Sequence, residues 1–289
     1  VIARVSASAC VGEYARRGMD PTKPIRSSSF RRLFPSIEIS LIVGYSRTSI
    51  TKRPRSGRTS TVSNKPEFEP HTAQHQFTIA ATDYNELIIL PSLIKKVREL
   101  APGVNILIRQ TCEYLPEEAL ENGAINLVLG FDVNMETPSR IHQQMLFDDV
   151  FVSIVRKDHP TIGDTLSLEQ YITLDHALIS PLGEDSGIID GWLEQNDLSR
   201  KVALIVPHFL SAPLIIAQTD MVLTLPYRVA EKFARMVSIK LLPTPIDLPN
   251  YPLSMIWHPL YDKNPADQWL REQVAEVGKQ ILDSSVPYQ

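Results

Sequence analysis

The stretch from Gln76 to Gly130 restricts the fold most, because it switches regularly between two apolar spacings. Apolar residues at every second position predict strands, and those at every third or fourth predict helices that bury one face. Strand, helix, strand, helix, strand at these lengths predicts a parallel α/β unit. The strand spacing occurs at 77–81, 104–108 and 127–129, and the helical spacing at 87–100 and 116–122.

Turn-forming residues mark the ends of these two helices. Pro102 and Gly103 stop the first helix, and Gly123 stands where a helix end favours the left-handed conformation. Ligands of parallel sheets bind beyond the carboxyl ends of the strands. In this stretch those ends are Thr82-Asp83, Gln110-Thr111-Cys112 and Gly130-Phe131.

Composition places the chain among globular proteins of about two domains. It has 289 residues, of which 43% are hydrophobic, enough for a sizeable core. Its two cysteines, Cys10 and Cys112, lie far apart, which argues against a disulfide framework and fits a reducing cytoplasm. No apolar run is long enough to span a membrane, and the first residues do not form a secretory signal.

Residues 1–66 differ from the rest in charge and composition. The first 70 residues hold 13 Lys and Arg against 5 Asp and Glu, whereas the whole chain has a net charge of −4. Because no helical or strand period is sustained there, a disordered segment is the simplest interpretation. A basic arm that binds nucleic acid remains open, as does an out-of-frame translation. The basic residues of such an arm would be Arg47, Lys52, Arg53, Arg55 and Arg58.

The second half of the chain repeats the α/β pattern. We therefore predict two α/β subdomains with a cleft between them: residues 67–162 with 265–289 form the first, and 163–264 the second. Strands are predicted at 141–147, 150–156, 176–180, 201–206, 221–225, 239–242 and 253–258, and helices at 166–171, 187–195, 209–218, 227–235 and 266–282.

Six segments in order resemble one known protein family. They read FTIAATDY, LPSLIKKVRELAPGV, AINLVLG, LFDDVFVSIVRKDHP, VALIVPHFLSAPLIIAQTDMVLTLPYRVAE and WHPLYDKNPADQWLREQV. From about Phe68 to Leu282 the chain resembles the effector-binding domain of LysR-type transcriptional regulators. Their order and spacing are similar to the branch that contains nodulation regulators and regulators of aromatic degradation.

The resemblance implies a fold, a function and partners. The fold would be two Rossmann-like subdomains joined by two crossing strands, similar to type 2 periplasmic binding proteins. The function would be sensing of a small effector in the cytoplasm, without catalysis or cofactor, in a dimer or tetramer. Such regulators begin with a helix-turn-helix, which is not recognisable in residues 1–66. Promoter DNA is therefore expected as a partner only if the full product contains that element.

Several side chains could have a chemical role, but a structural role explains each of them better. Asp83 and Glu86 could act as acid and base, but helix capping by Thr82 or Asp83 is favoured. Cys112 is interpreted as a pocket wall or core residue rather than a redox thiol. His71 and His75 are interpreted as linker residues rather than metal ligands, and Trp257 and Trp269 as core. No catalytic or phosphate-binding motif occurs.

The strand-end rule and the family resemblance together predict an effector site. Helix N-termini at two of its turns favour an anionic or polar group, and its aromatic rings favour a flat apolar body. A small aromatic compound fits both. His208 could contact the ligand or cap a helix. The predicted site residues are Thr82, Asp83, Tyr84, Thr111, Cys112, Phe131, Ser180, Pro207, His208, Phe209 and Thr224.

Two alternatives to a complete LysR-type regulator remain open. One is a truncated or frameshifted regulator without DNA binding. The other is a solute-binding protein of the periplasmic type, against which the missing signal peptide argues.

Overall fold

The structure, a computed structural model, describes residues 68–110, 115–131, 138–181 and 184–283. All of them belong to one compact unit, which runs from Val62 to Gln289. The predicted disorder of residues 1–66 lies outside the described residues, and so do Thr111 and Cys112 of the predicted site.

The described residues form strands and helices that alternate along most of the chain. The strands are β1 (His75–Ala81), β2 (Val104–Gln110), β3 (Leu127–Phe131), β4 (His142–Asp149), β5 (Phe151–Arg156), β6 (Asp175–Ile179), β7 (Lys201–Val206), β8 (Val222–Pro226), β9 (Ile239–Pro243) and β10 (Tyr251–Trp257). The helices are α1 (Asp83–Ile88), α2 (Leu90–Leu100), α3 (Glu117–Glu121), α4 (Leu168–Thr173), α5 (Ile188–Gln195), α6 (Ala212–Ile216), α7 (Tyr227–Ala234) and α8 (Pro265–Leu282).

The first subdomain is built on a five-stranded sheet in the order β2-β1-β3-β10-β4. Its first three strands are parallel, as predicted, with Phe77 beside Ile106 and Ile79 beside Leu127. β10 joins them in the antiparallel direction. The last five residues of β1 are all buried, which is typical of a parallel strand covered on both faces.

The second subdomain contains a sheet of the same size in the order β7-β6-β8-β5-β9. β6 pairs with β7 and β8 in parallel, whereas β5 is antiparallel to β8. Two sheets in two subdomains confirm the predicted fold class.

The chain passes twice between the subdomains, and both passages differ from the predicted boundaries. β4 lies in the first sheet and β5 in the second, so the first passage is at Val150 rather than near residue 162. β10 lies in the first sheet, so the second passage is at 244–250 rather than near 264. Alternating apolar residues predict a strand but do not tell which sheet it joins, because both sheets bury the same kind of surface.

Two helix termini show how local sequence fixes the chain direction. Gly123 has φ 72°, as predicted, and a Cβ atom there would lie 2.5 Å from the Tyr261 hydroxyl oxygen. Asn264 caps α8 by accepting hydrogen bonds from Ala266 N and Asp267 N at 3.0 and 3.4 Å.

Other predicted caps are not formed. α5 begins after Gly187, where Gly187 N donates to the carboxylate of Asp190 at 2.7 Å. α1 follows Thr82, but neither Thr82 nor Asp83 makes a side-chain cap. The Thr82 hydroxyl accepts from Asn85 Nδ2 instead.

The largest apolar cluster spans both subdomains. It includes Phe77 and Leu93 of the first subdomain and Ile154 and Phe209 of the second. Trp257 and Trp269 pack against it, and the Trp269 ring stacks on Phe77 at 6.2 Å. The junction is therefore a packed interface, in which a shift of one subdomain disturbs contacts of the other.

Candidate ligand site between the subdomains

The turn after β1 contacts the turn after β7 across the junction. The carboxylate of Asp83 accepts a hydrogen bond from Leu210 N at 3.1 Å. The Tyr84 ring meets the Phe209 ring edge-on, with centroids 5.8 Å apart. The structure thus brings together Asp83, Tyr84 and Phe209, which the strand-end rule and the family resemblance together had predicted on opposite sides of one cleft.

Tyr84 is fully buried and makes a hydrogen bond that the sequence did not suggest. Its hydroxyl donates to Asp149 Oδ2 at 2.7 Å. Asp149 Oδ2 also accepts from Arg228 N at 3.2 Å, and Oδ1 accepts from Val150 N at 2.9 Å. The Arg228 guanidinium lies 5.2 Å from the centroid of the Phe147 ring.

Burial dominates the electrostatics of this carboxylate. It raises the pKa of Asp149 to about 6, although the hydrogen bonds from Tyr84 and the two backbone N–H groups and the charge of Arg228 act in the opposite direction. Burial, together with the neighbouring Asp149, also raises the pKa of Tyr84, so the hydroxyl stays protonated.

Two further aromatic residues extend this cluster. Tyr251 lies edge-on to Tyr84 at 5.8 Å, and its ring is 5.3 Å from Phe151. Sequence reasoning missed Asp149, Phe151, Arg228 and Tyr251. The one signal was the Asp148-Asp149 pair at the end of a predicted strand, where two adjacent carboxylates interrupt an apolar run.

The remaining predicted residues of the second subdomain occupy different surroundings. Pro207 and His208 are exposed, and Ser180 is buried, with its N–H bonded to Val206 O at 2.9 Å. His208 does not cap α6, which begins after Ser211 rather than at Phe209. The His208 carbonyl accepts from the Ser211 hydroxyl.

Thr224 points into the interior of the second subdomain. Its hydroxyl is 2.7 Å from the Tyr171 hydroxyl and 3.1 Å from that of Ser153. Phe131 ends β3, where its backbone pairs with Leu253. Within the described residues, no cluster of His, Cys, Asp and Glu has the arrangement of a metal site.

A buried ion pair lies next to Tyr171, whose hydroxyl contacts that of Thr224. Arg200, whose side chain is 1% exposed, donates through Nε and Nη2 to the two carboxylate oxygens of Asp190 at 2.8 and 2.7 Å. Burial raises the pKa of Asp190, but the hydrogen bonds and charge of Arg200 outweigh it, so that the pKa is lowered. Arg200 Nη1 also lies 3.3 Å from His176 Nδ1.

His176 is held neutral inside the second subdomain. Its Nε2 bonds to Tyr171 O at 2.7 Å, and burial followed by the charge of Arg200 lowers its pKa to about 4. An unfolded histidine takes up a proton near pH 6.5, so stability is complete above that pH and is lost as pH falls toward 4.

We expect His176→Gln to remove this pH dependence, which amounts to roughly 3 kcal/mol over the window. The measurement is urea unfolding at pH values from 7.5 to 4.5. His71→Gln, which changes an exposed side chain, serves as the control. Parallel profiles for wild type and His176→Gln would contradict the assignment.

Comparison with known proteins identifies the family to which this arrangement belongs. The family described as "LysR substrate binding domain" matches residues 71–279. The chain belongs to the LysR substrate-binding domain family. The HTH-type transcriptional activator NagR of Ralstonia sp. is 31% identical over 217 residues, covering 75% of this chain and 71% of NagR. Nodulation protein D 2 of Rhizobium tropici is 24% identical over 234 residues, covering 79% and 71%.

A solved structure agrees with these relatives. The regulatory domain of MexT, a transcriptional activator in Pseudomonas aeruginosa, is 28% identical, with a TM-score of 0.63 over 71% of this chain and 99% of that domain. These findings confirm the resemblance to LysR-type regulators of the nodulation and aromatic-degradation branch, and with it the ligand-sensing regulatory function. Among the described helices, none is both long and apolar enough to cross a bilayer.

Proposed function

We propose that this LysR-type domain senses a small aromatic compound with an anionic or polar group, bound where the two subdomains meet. The observation that carries the proposal is the meeting of the Asp83-Tyr84 turn with the Phe209-Leu210 turn. Both turns follow the carboxyl ends of parallel strands, where ligands of α/β sheets bind. Thr82, Pro207 and His208 adjoin the two turns in the sequence, and the N–H of Ser180 bonds to Val206 O just before the second turn. These four residues complete the proposed site.

The chemistry of the two turns supports this choice of ligand. Leu210 N donates to a carboxylate oxygen of Asp83, so an anionic group of the ligand would replace Asp83 at this donor. The rings of Tyr84 and Phe209 are both buried where they meet, so an aromatic body would take up edge-on contacts with them when the two turns part. Effector binding would then shift one subdomain against the other.

Phe209→Ala is expected to weaken binding of the effector by at least tenfold, because it removes the ring that faces Tyr84. Isothermal titration calorimetry with benzoate and monohydroxybenzoates as probes measures the change. Phe68→Ala is the matched control, since that ring packs on Phe77 and Trp269 away from the proposed site. Circular dichroism checks that both variants fold. Unchanged affinity in Phe209→Ala would contradict the proposed site.

The assembly proposal concerns pairing between copies of the chain. Helices of the first subdomain and edges of the second are proposed as the contact surfaces, in a dimer or tetramer. An exposed apolar side chain supports the second of these surfaces, because Ile205 lies on β7, an edge strand of the second sheet.

We expect Ile205→Lys to weaken self-association at micromolar concentrations. Sedimentation velocity measures this. Leu260→Lys changes an apolar side chain that is more exposed and follows β10 of the first subdomain, and it should leave the association unchanged. A wild-type protein that sediments as a monomer throughout this range would contradict the proposal.

The remaining parts of the proposal follow from the family. The relatives are transcriptional regulators, and we propose that this chain likewise carries out no catalysis and acts in the cytoplasm. Binding to promoter DNA is proposed only for a product that contains a helix-turn-helix. A gel-shift assay with the upstream DNA tests it.

A further inference from the structure

Asp149 stands at the passage between the two subdomains. It is the last residue of β4 in the first sheet, and one residue, Val150, separates it from β5 in the second. It also pairs with Tyr251, the first residue of β10 and the end of the second passage. A rotation of one subdomain against the other must therefore turn about this point.

The groups that cover Asp149 come from both subdomains. Tyr84 belongs to α1 of the first subdomain, and Arg228 N belongs to the first turn of α7 in the second. Both donate to the same oxygen, Oδ2, so the carboxylate joins the start of one helix to that of the other. The Arg228 side chain also reaches back over the Phe147 ring of β4.

We propose that Asp149 is the latch of the hinge: its carboxyl group ties Tyr84 to the backbone of α7, so that its charge controls whether the subdomains stay closed. The proposal requires no effector, and its failure would leave the proposed ligand site untouched.

The direction of the control follows from what surrounds the carboxyl group. The titratable and charged groups facing it are Tyr84 from α1, Arg228 from α7 and Tyr251 from β10, and Asp83 of α1 acts in turn on Tyr251. Burial raises the pKa of both tyrosines, so Asp149 is the group that changes charge near neutral pH. Opening separates α1 from α7 and lets water reach the carboxylate, which returns the pKa of Asp149 toward its ordinary value.

A proton therefore binds the closed arrangement more tightly than the open one. By linkage, lowering the pH through about 6 stabilises the closed arrangement, and raising it favours opening. Between pH 7.5 and pH 5 the opening equilibrium should fall by about tenfold.

Hydrogen–deuterium exchange of the full chain tests the latch. Peptides covering α1 and α7 are followed from pH 5 to pH 7.5, with exchange corrected for the intrinsic rates. In wild type these peptides should be about tenfold better protected at pH 5 than at pH 7.5. Asp149→Asn should abolish this dependence, because the amide is uncharged at every pH. Tyr84→Phe should move the midpoint to higher pH, since the Tyr84 hydrogen bond lowers the pKa of Asp149.

The matched control is Asp267→Asn. Asp267 is also buried, and its pKa is also raised by burial, but it bonds to Asn126 within the first subdomain. This variant should keep the wild-type dependence in α1 and α7. If the protection of the α1 and α7 peptides in wild type did not change between pH 5 and pH 7.5, the proposal would be overturned even if Asp149→Asn did not fold. The same dependence in Asp149→Asn as in wild type would also overturn it.

Discussion

Arg200→Ala is expected to lower the free energy of unfolding by about 3–5 kcal/mol, because it leaves one half of a buried ion pair behind. The side chain of Arg200 is 1% exposed and holds both oxygens of Asp190. Without it, the Asp190 carboxylate keeps only the hydrogen bond from Gly187 N among those described, and His176 Nδ1 loses its neighbour. The lower end of the range is favoured, because the side chain of Asp190 is 25% exposed and can rehydrate in part.

Urea unfolding at pH 7.5 measures this effect. Arg235→Ala is the matched control, because Arg235 pairs with Glu231 on the surface, where both side chains are largely accessible. This variant should lower the free energy of unfolding by less than about 0.5 kcal/mol. An effect of Arg200→Ala as small as that of the control would show that the pair does not behave as a largely buried ion pair.

Tyr84→Ala is expected to lower the free energy of unfolding by about 4 kcal/mol. The side chain is among the largest that are fully buried, and it joins the aromatic cluster at the subdomain junction. Its removal creates a cavity between Phe209 and Tyr251 and also takes a hydrogen-bond donor from Asp149. The two losses act together, because the carboxylate cannot leave the junction without moving β4.

Tyr84→Phe separates the hydroxyl from the ring. It keeps the packing and loses one hydrogen bond to a charged group, so we expect a loss of about 2 kcal/mol. Tyr261→Phe is the control, since its hydroxyl bonds to Glu121 O at an exposed position, and it should change stability by less than about 0.5 kcal/mol. Equal losses in Tyr84→Ala and Tyr84→Phe would show that the ring is not packed as described.

Two titrating groups inside the protein change its stability with pH in opposite directions. Between pH 4 and 6, the neutral His176 makes stability rise with pH, whereas the buried Asp149 makes it fall. The free energy of unfolding of the wild type is therefore a sum of two slopes against pH, and its profile can look flat although both groups titrate. Variants at each position are needed to separate them.

The sequence by itself determined the elements and the class of the fold. Apolar periods are local, so the strands at 77–81, 104–108 and 127–129 and the long helix ending at Leu100 could be read without knowing their neighbours. Gly123 could be assigned to a helix end, because its conformational freedom is a property of the residue itself. The strand-end rule and the family resemblance predicted Asp83, Tyr84 and Phe209 at one site, and these residues meet in the structure, whereas their binding of an effector stays a prediction.

Only the tertiary structure decided which sheet each crossing strand joins and which polar groups meet inside. β5 and β10 could not be assigned to a sheet, because an apolar alternation fits either one equally well. Thr224 followed the strand pattern correctly, yet its hydroxyl faces Tyr171 in the interior. The partners of Asp149 lie 65 and 79 positions away in the chain, at Tyr84 and Arg228. Such contacts depend on how the subdomains are packed, and no local pattern in the sequence records that packing.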